Sequence, residues 1–166
     1  MSLSPDAVER LAFLARVVKR EVALLQETCG LLFGSDAIAD APWRLPVGHL
    51  PMLLAERLDA FVARFARLQD TVGDKLLPAL LLAVAEPVGA AIDNLNRAER
   101  FGWLGSVELW RSVRALRNQM IHEYVEDRRV LESALIAARD AVPMLCETAE
   151  RLCDEAGRRI GEKGSG

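Results

Sequence analysis

Residues 106–124 read SVELWRSVRALRNQMIHEY and carry the clearest helical pattern in the chain. Ser106 is a suitable N-cap, because its hydroxyl can accept a hydrogen bond from the first turn, so we expect a helix from Val107 to about Tyr124. Apolar side chains then recur in steps of three and four residues, which predicts that one face of this helix lies in the core. These core positions are Leu109, Val113, Leu116 and Met120.

Four further segments show helical spacing of apolar residues, and none alternates as a strand would. A Ser-Pro-Asp start signal at residues 4–6 opens the first helix, which is expected to stop at Gly34 and to be followed by a loop. Proline is expected to kink or break the second helix at Pro78, to open the third at Pro87 and to bend the last at Pro143. The predicted helices cover residues 5–33, 50–77, 87–101 and 127–156.

The predicted architecture is an all-α, up-down bundle of four to five antiparallel helices. The chain has 166 residues, of which 51% are hydrophobic, enough for one domain with a sizeable core. We expect a single domain over residues 1–157 and a flexible, glycine-rich tail over residues 158–166. Residues 79–85 are apolar all round, which predicts burial in the bundle or against a partner subunit. Trp103 and Trp110 are expected in the core or in a dimer interface.

Charge and cysteine content limit the classes of function. A net charge of −3 argues against a surface covered with Lys and Arg for broad nucleic-acid binding, although it leaves room for a local basic groove. Three cysteines without metal-binding spacing are typical of a reducing compartment, so we expect a cytoplasmic protein without a metal or other cofactor. The N-terminus does not read as a signal peptide, and the most apolar stretch, residues 76–85, is too short to span a bilayer, so no membrane association is expected.

Helical register separates two side chains of the motif helix, Arg117 and His122. Five residues at about 100° each place them about 140° apart on a straight helix. One copy of the chain would therefore not close both side chains around one phosphate. Two copies packed through this helix about a two-fold axis would bring Arg and His from both chains into one cleft, which predicts a homodimer.

The sequence RNQMIHEY at residues 117–124 resembles the R-N-x-x-x-H-x-Y signature of HEPN proteins of the HepT type. Residues 64–78 are similar to that family's second helix and residues 108–114 to the lead-in to its motif, so the resemblance covers about residues 50–140. An Arg and a His at this spacing occur by chance in many helices. Asn118, Tyr124 and the helical frame make the match more specific.

The resemblance implies a dimeric, metal-independent bacterial endoribonuclease, the toxin of a toxin–antitoxin pair. It implies that His122 handles the proton of the attacking ribose 2′-hydroxyl or of the leaving oxygen, and that Arg117 holds the scissile phosphate. Asn118 would orient the phosphate or the imidazole. Tyr124 would be adenylylated by a cognate minimal nucleotidyltransferase, the antitoxin, and the added anion would exclude RNA from the phosphate site.

Each candidate residue also has a purely structural interpretation. A lone helical histidine such as His122 is more often a surface or packing residue, and Tyr124 could simply pack at a helix end. Arg111 and Arg114 either contact RNA or form a solvated face. Asp70 either lines the cleft or belongs to a salt-bridged helix surface.

Two function classes therefore stay open. The first is the endoribonuclease toxin. The second is a non-catalytic subunit that binds a nucleotide or presents its tyrosine to a nucleotidyltransferase partner. A helical dimer with a degenerate site is a third, blander interpretation that the intact motif disfavours.

Overall fold

A computed structural model describes residues 3–34, 43–122 and 127–162, with only the backbone of His122. Every regular element within these residues is helical, which confirms the all-α prediction. A π-helical segment, Thr71–Leu76, joins two of the helices, and we call it the π turn. The α-helices are α1 (Pro5–Phe33), α2 (Met52–Asp70), α3 (Leu77–Ala83), α4 (Ala91–Arg100), α5 (Val107–His122) and α6 (Arg128–Gly161).

Helix α1 begins and ends where its sequence signals predict. The Ser4 hydroxyl accepts a hydrogen bond of 3.2 Å from the Ala7 amide, and Pro5 occupies the first turn, where its missing N–H costs nothing. At the other end Gly34 has a φ of 84°, a left-handed conformation that favours glycine. Its amide donates to the Gly30 carbonyl at 2.9 Å and closes the last turn.

Four helices, α1, α2, α5 and α6, form the body of the bundle. Helix α1 packs against α2 and α6, and α5 packs against the same two helices, so α1 and α5 lie diagonally opposite each other. Helices α1 and α2 are antiparallel, since Arg57 donates to the Leu31 carbonyl at one end and Thr71 donates to Glu21 at the other. The predicted up-down bundle is thus present within the chain.

A cluster of aromatic rings stabilises the part of the core where the end of α1 packs against α2. The ring of Phe61 packs edge-on against Phe33 with centroids 5.2 Å apart, and Phe65 follows at 5.9 Å. Phe61 and Phe65 are fully buried, which stabilises the fold by roughly 2–3 kcal/mol for each side chain. The ring of Trp43 packs on Phe33 with centroids 4.7 Å apart, and its indole N–H donates to the Leu32 carbonyl. These contacts hold the segment around residue 43 against the bundle.

Proline shapes the helices less than the sequence predicts. Pro78 lies in the first turn of α3, directly after the π turn, and does not end the helical path, which continues to Ala83. Pro87 does not open a helix, since α4 begins only at Ala91. The side chain of Asn94 explains this late start: it accepts from the Gly89 amide at 2.9 Å and donates to the Gly89 carbonyl, holding residues 86–90 in an extended turn.

Helix α6 is longer than predicted, because it continues through Pro143 to Gly161. Residues 158–161 therefore belong to the helix and not to a tail. Glu155 pairs with Arg158 and Arg159 at the favourable i,i+3 and i,i+4 spacings, and both cations lie near the negative end of the helix dipole. The residues after 162 lie outside the described part of the chain.

The apolar stretch at residues 79–85 is only partly buried. Leu80 and Leu81 lie in the core, whereas Leu82 is exposed at the surface. The prediction that this stretch is buried on every side is therefore wrong for the single chain, because α3 lies at the edge of the bundle and covers the core with one face.

Candidate functional site

Helix α5 packs on the bundle with a face that agrees with the predicted one at Val113 and Met120 and differs at its start, where Trp110 is buried in place of Leu109. Trp110, Val113 and Met120 are buried, whereas Leu109 is 55% exposed, so the expectation that Leu109 faces the core is wrong. Buried positions at 110, 113 and 120 place position 117 on the same inner face. An arginine, Arg117, occupies this inner position, which directs its side chain toward α2.

The Arg117 side chain is held by an acidic residue on α2. Its Nη2 lies 2.9 Å from Oδ2 of Asp70, and its Nη1 donates to Oδ1 of Asn118 at 3.2 Å. Only 24% of the side chain is exposed, and its buried Nε has no hydrogen-bond partner among the described residues. Because each Nη carries two hydrogens, these two contacts do not use all the hydrogen-bond donors of the guanidinium.

A second ion pair lies one helical turn earlier on α5. Nη2 of Arg114 is 3.5 Å from Oδ2 of Asp74, with both side chains more exposed than the Arg117 pair. Asp70 precedes Asp74 along the chain, whereas its partner on α5 follows the partner of Asp74. This reversed order is what antiparallel packing requires. The site is therefore a ladder of two arginines on α5 and two carboxylates on the facing segment.

The π turn is buried on one side and exposed on the other. Thr71, Val72 and Leu76 are buried, whereas Asp74 and Lys75 are exposed. The i→i+5 bonding of a π-helix places more residues in each turn than an α-helix does. The exposed side carries Asp74, which faces α5.

Helix α5 approaches the π turn closely at a glycine. A Cβ atom on Gly73 would lie 3.3 Å from Cζ2 of Trp110, which is tighter than ordinary van der Waals contact. The buried side chain of Gln69 donates from Nε2 to the Trp110 carbonyl at 3.4 Å. This close approach brings Asp70, at the end of α2, and Asp74, in the π turn, within reach of the α5 arginines.

A carboxyl group of α1 contacts the start of the π turn. The hydroxyl of Thr71 donates to Oε1 of Glu21 at 3.1 Å, and the second carboxyl oxygen is buried without a partner among the described residues. Burial raises the pKa of Glu21 above its usual value, although the Thr71 hydrogen bond and the charges of Arg67 and Lys75 act in the opposite direction. The ladder is therefore supported from α1 as well.

The structure brings some of the predicted site residues together and places others elsewhere. Arg114, Arg117 and Asn118 come together beside the carboxylates. Arg111 is exposed and lines a separate groove of about 710 Å³ between α4 and α5. His122 is the last residue of α5, but its side chain lies outside the described part of the chain, and so does Tyr124 entirely.

Sequence reasoning left Asp70 open and missed Asp74. A charged residue on an exposed helix face is normally solvated, so an aspartate alone carries no signal. The contact that singles out Asp74 is with Arg114 on another helix, and neighbouring positions in the sequence do not show it.

Two further observations concern the described residues only. No three side chains of His, Cys, Asp or Glu among them come together as potential metal ligands. None of the helices in residues 3–34, 43–122 and 127–162 is both long and apolar enough to cross a membrane.

Comparisons of the chain with protein-family models, curated proteins and solved structures found no match. Its functional interpretation therefore depends on the motif of α5 and on the geometry of the ladder.

Proposed function

We propose that the chain is a metal-independent endoribonuclease of the HEPN type, acting as a homodimeric toxin with a cognate minimal nucleotidyltransferase as its antitoxin. The observation that supports this most directly is the pairing of Arg117 with Asp70 at 2.9 Å on the motif helix. A guanidinium held by a carboxylate keeps a constant orientation, and its other N–H groups are further hydrogen-bond donors. Such an orientation suits binding of a phosphodiester.

In this proposal the RNA supplies its own nucleophile. The ribose 2′-oxygen attacks the adjacent phosphorus, and the bond from phosphorus to the 5′-oxygen breaks. His122 accepts the proton of the 2′-hydroxyl or donates a proton to the leaving oxygen. Arg117 stabilises the charge that develops on the phosphoryl oxygens, and Asn118 orients the phosphate or the imidazole. The expected product ends in a 2′,3′-cyclic phosphate.

The exposed side of α5 supports a homodimer in this proposal. Leu109, Ser112 and Ala115 are exposed and lie on one side of the helix. Ser112 and Ala115 are small enough for close packing of a second helix. Arg117 and His122 are about 140° apart on a straight helix, so in this proposal a second copy of α5 supplies the other half of a cleft that contains both arginine and histidine.

Regulation by adenylylation belongs to the same proposal. Tyr124 follows Arg117 by seven residues in the sequence, which the helix predicted to about Tyr124 would make two turns on the same stripe. An attached AMP group would bring a negative charge and bulk to the phosphate site and exclude RNA. Arg111 and Arg114 are the proposed further RNA contacts, acting in the cytoplasm of a bacterial cell.

The alternative function is a non-catalytic subunit that binds a nucleotide or presents Tyr124 to a nucleotidyltransferase. One observation favours it: Arg114 and Arg117 both face carboxylates, so the ladder carries little net positive charge. A polyanion gains less from such a site than from unpaired arginines.

Incubation of the purified chain with RNA in EDTA distinguishes the two functions. We expect cleavage by the wild-type chain that is lost in His122→Ala and Arg117→Ala. Arg151→Ala is the matched control, because it removes an exposed arginine that pairs, among the described residues, with Glu147 on α6. RNA that stays intact with every variant would contradict the ribonuclease proposal and favour the binding subunit.

A further inference from the structure

Both carboxylates of the ladder lie at the π turn. Asp70 directly precedes this turn and Asp74 lies inside it. The two residues are four positions apart, about one helical turn, so they lie one after the other along the same edge. Their contacts with Arg117 and Arg114 show that this edge faces α5.

The facing residues on α5 are three positions apart, which corresponds to a rise of about 4.5 Å. Both contacts nevertheless form at once, with 2.9 Å between Arg117 and Asp70 and 3.5 Å between Arg114 and Asp74. The absence of a side chain at Gly73 is what lets the two segments approach so closely beside Trp110. The positions of the two carboxylates and the close approach of α5 to the π turn thus affect the same pair of arginines. π-Helical segments are frequent at functional sites.

We propose that Asp74, placed by the π turn, is a positioning residue for Arg114, and that Arg114 and Arg117 together bind the phosphate backbone of one RNA strand. This inference rests on the proposed ribonuclease function. Asp74 itself does not touch RNA, because a carboxylate repels phosphate.

Positioning by Asp74 has a kinetic signature that a structural role lacks. Asp74→Asn removes a negative charge near a polyanion site, so RNA affinity stays equal or increases. The same substitution releases Arg114 from its orientation, so the chemical step slows. We therefore expect kcat to fall about tenfold while KM is unchanged or lower.

The experiment measures kcat and KM for cleavage of a fluorescent RNA oligonucleotide by Asp74→Asn, Asp74→Glu, Arg114→Ala and the double variant of Asp74→Asn with Arg114→Ala. Asp74→Glu should restore most of kcat, since it keeps the carboxylate. In the double variant, loss of Asp74 should have no further effect once Arg114 is absent. Asp59→Asn, an exposed aspartate on α2, is the matched control and should behave as wild type.

The outcomes separate the inference from the function on which it rests. If the wild-type chain cleaves RNA but Asp74→Asn matches Asp59→Asn, or if the two substitutions act additively, the positioning role is wrong. A variant that loses activity together with its thermal transition would also overturn it, because the ion pair would then be structural. If the wild-type chain neither cleaves nor binds the oligonucleotide, the ribonuclease proposal fails first and the inference with it.

Discussion

Nη2 of Arg117 lies 2.9 Å from Oδ2 of Asp70, so the arginine of the motif is paired within its own chain. The pair joins α5 to α2 at the point where α2 enters the π turn. Its partial exposure limits its effect on stability, while its orientation of the guanidinium matters for the proposed chemistry. Stability and activity should therefore respond differently when the pair is removed.

Asp70→Asn is expected to lower RNA cleavage between about tenfold and a hundredfold, because Arg117 loses its fixed orientation. The free energy of unfolding should fall by about 1 kcal/mol or less, since the pair is partly exposed to water. Steady-state kinetics and urea unfolding of the same preparation test both effects. A variant with full activity would show that the carboxylate does not orient Arg117.

Gly73→Ala and Gly30→Ala form a matched pair of helical substitutions. At Gly30 a Cβ meets nothing within 4 Å, so alanine should stabilise α1 by about 0.5–1 kcal/mol through lower unfolded-state entropy. At Gly73 the same Cβ would press on the buried ring of Trp110 at 3.3 Å, so the gain should vanish or reverse, by about 1–3 kcal/mol. Thermal and urea unfolding check this. Equal stabilisation at both positions would mean that the ring yields easily.

Glu21→Gln should change how stability depends on pH. Burial raises the folded-state pKa of Glu21 above its ordinary value of 4.5, so the folded chain holds this proton more strongly than the unfolded chain. Its contribution to stability is thus fully present below 4.5 and is lost as pH rises through the folded-state pKa. Glutamine cannot ionise and still accepts the Thr71 hydrogen bond.

Urea unfolding of wild type and Glu21→Gln at about pH 4 and about pH 7 measures this difference. The two proteins should be similar at the lower pH, and the variant should be relatively more stable at the higher pH. A wild-type advantage that grows toward neutral pH would show that the charges of Arg67 and Lys75 outweigh burial.

Two cysteine thiols should be protected from modification in the folded chain. Burial raises the pKa of Cys146 and of Cys153 to about 11, from an ordinary 9.0. Because the thiolate is the reactive form, each should react about a hundredfold more slowly than an ordinary thiol, and slower still through lack of access. Half-buried Cys29 should react first.

Reaction with a chromogenic disulfide reagent, with and without guanidinium, measures the number and rate of accessible thiols. Unfolding should make all three thiols react rapidly. Fast reaction of Cys146 or Cys153 in the absence of denaturant would indicate local opening of α6.

Helix type and most helix positions could be read from periodicity and end signals. Ser4 and Gly34 delimit α1 because capping is a local interaction that involves residues within a few positions. Late initiation of α4 and extension of α6 were not predicted. Both depend on side-chain contacts, of Asn94 with Gly89 and of Glu155 with two arginines. Local preferences alone favour the observed helix ends and neighbouring helix ends about equally.

The local order of residues was enough to establish an all-helical chain and to single out Arg117, since helix formation and motif spacing are properties of neighbouring positions. Only packing of α5 against α2 showed that Arg117 faces Asp70 and Arg114 faces Asp74. Those partners lie about forty or more residues away along the chain, and a π-helical turn changes the register between them. No local rule predicts contacts at that separation, because they depend on how two complete helices bury their apolar faces together.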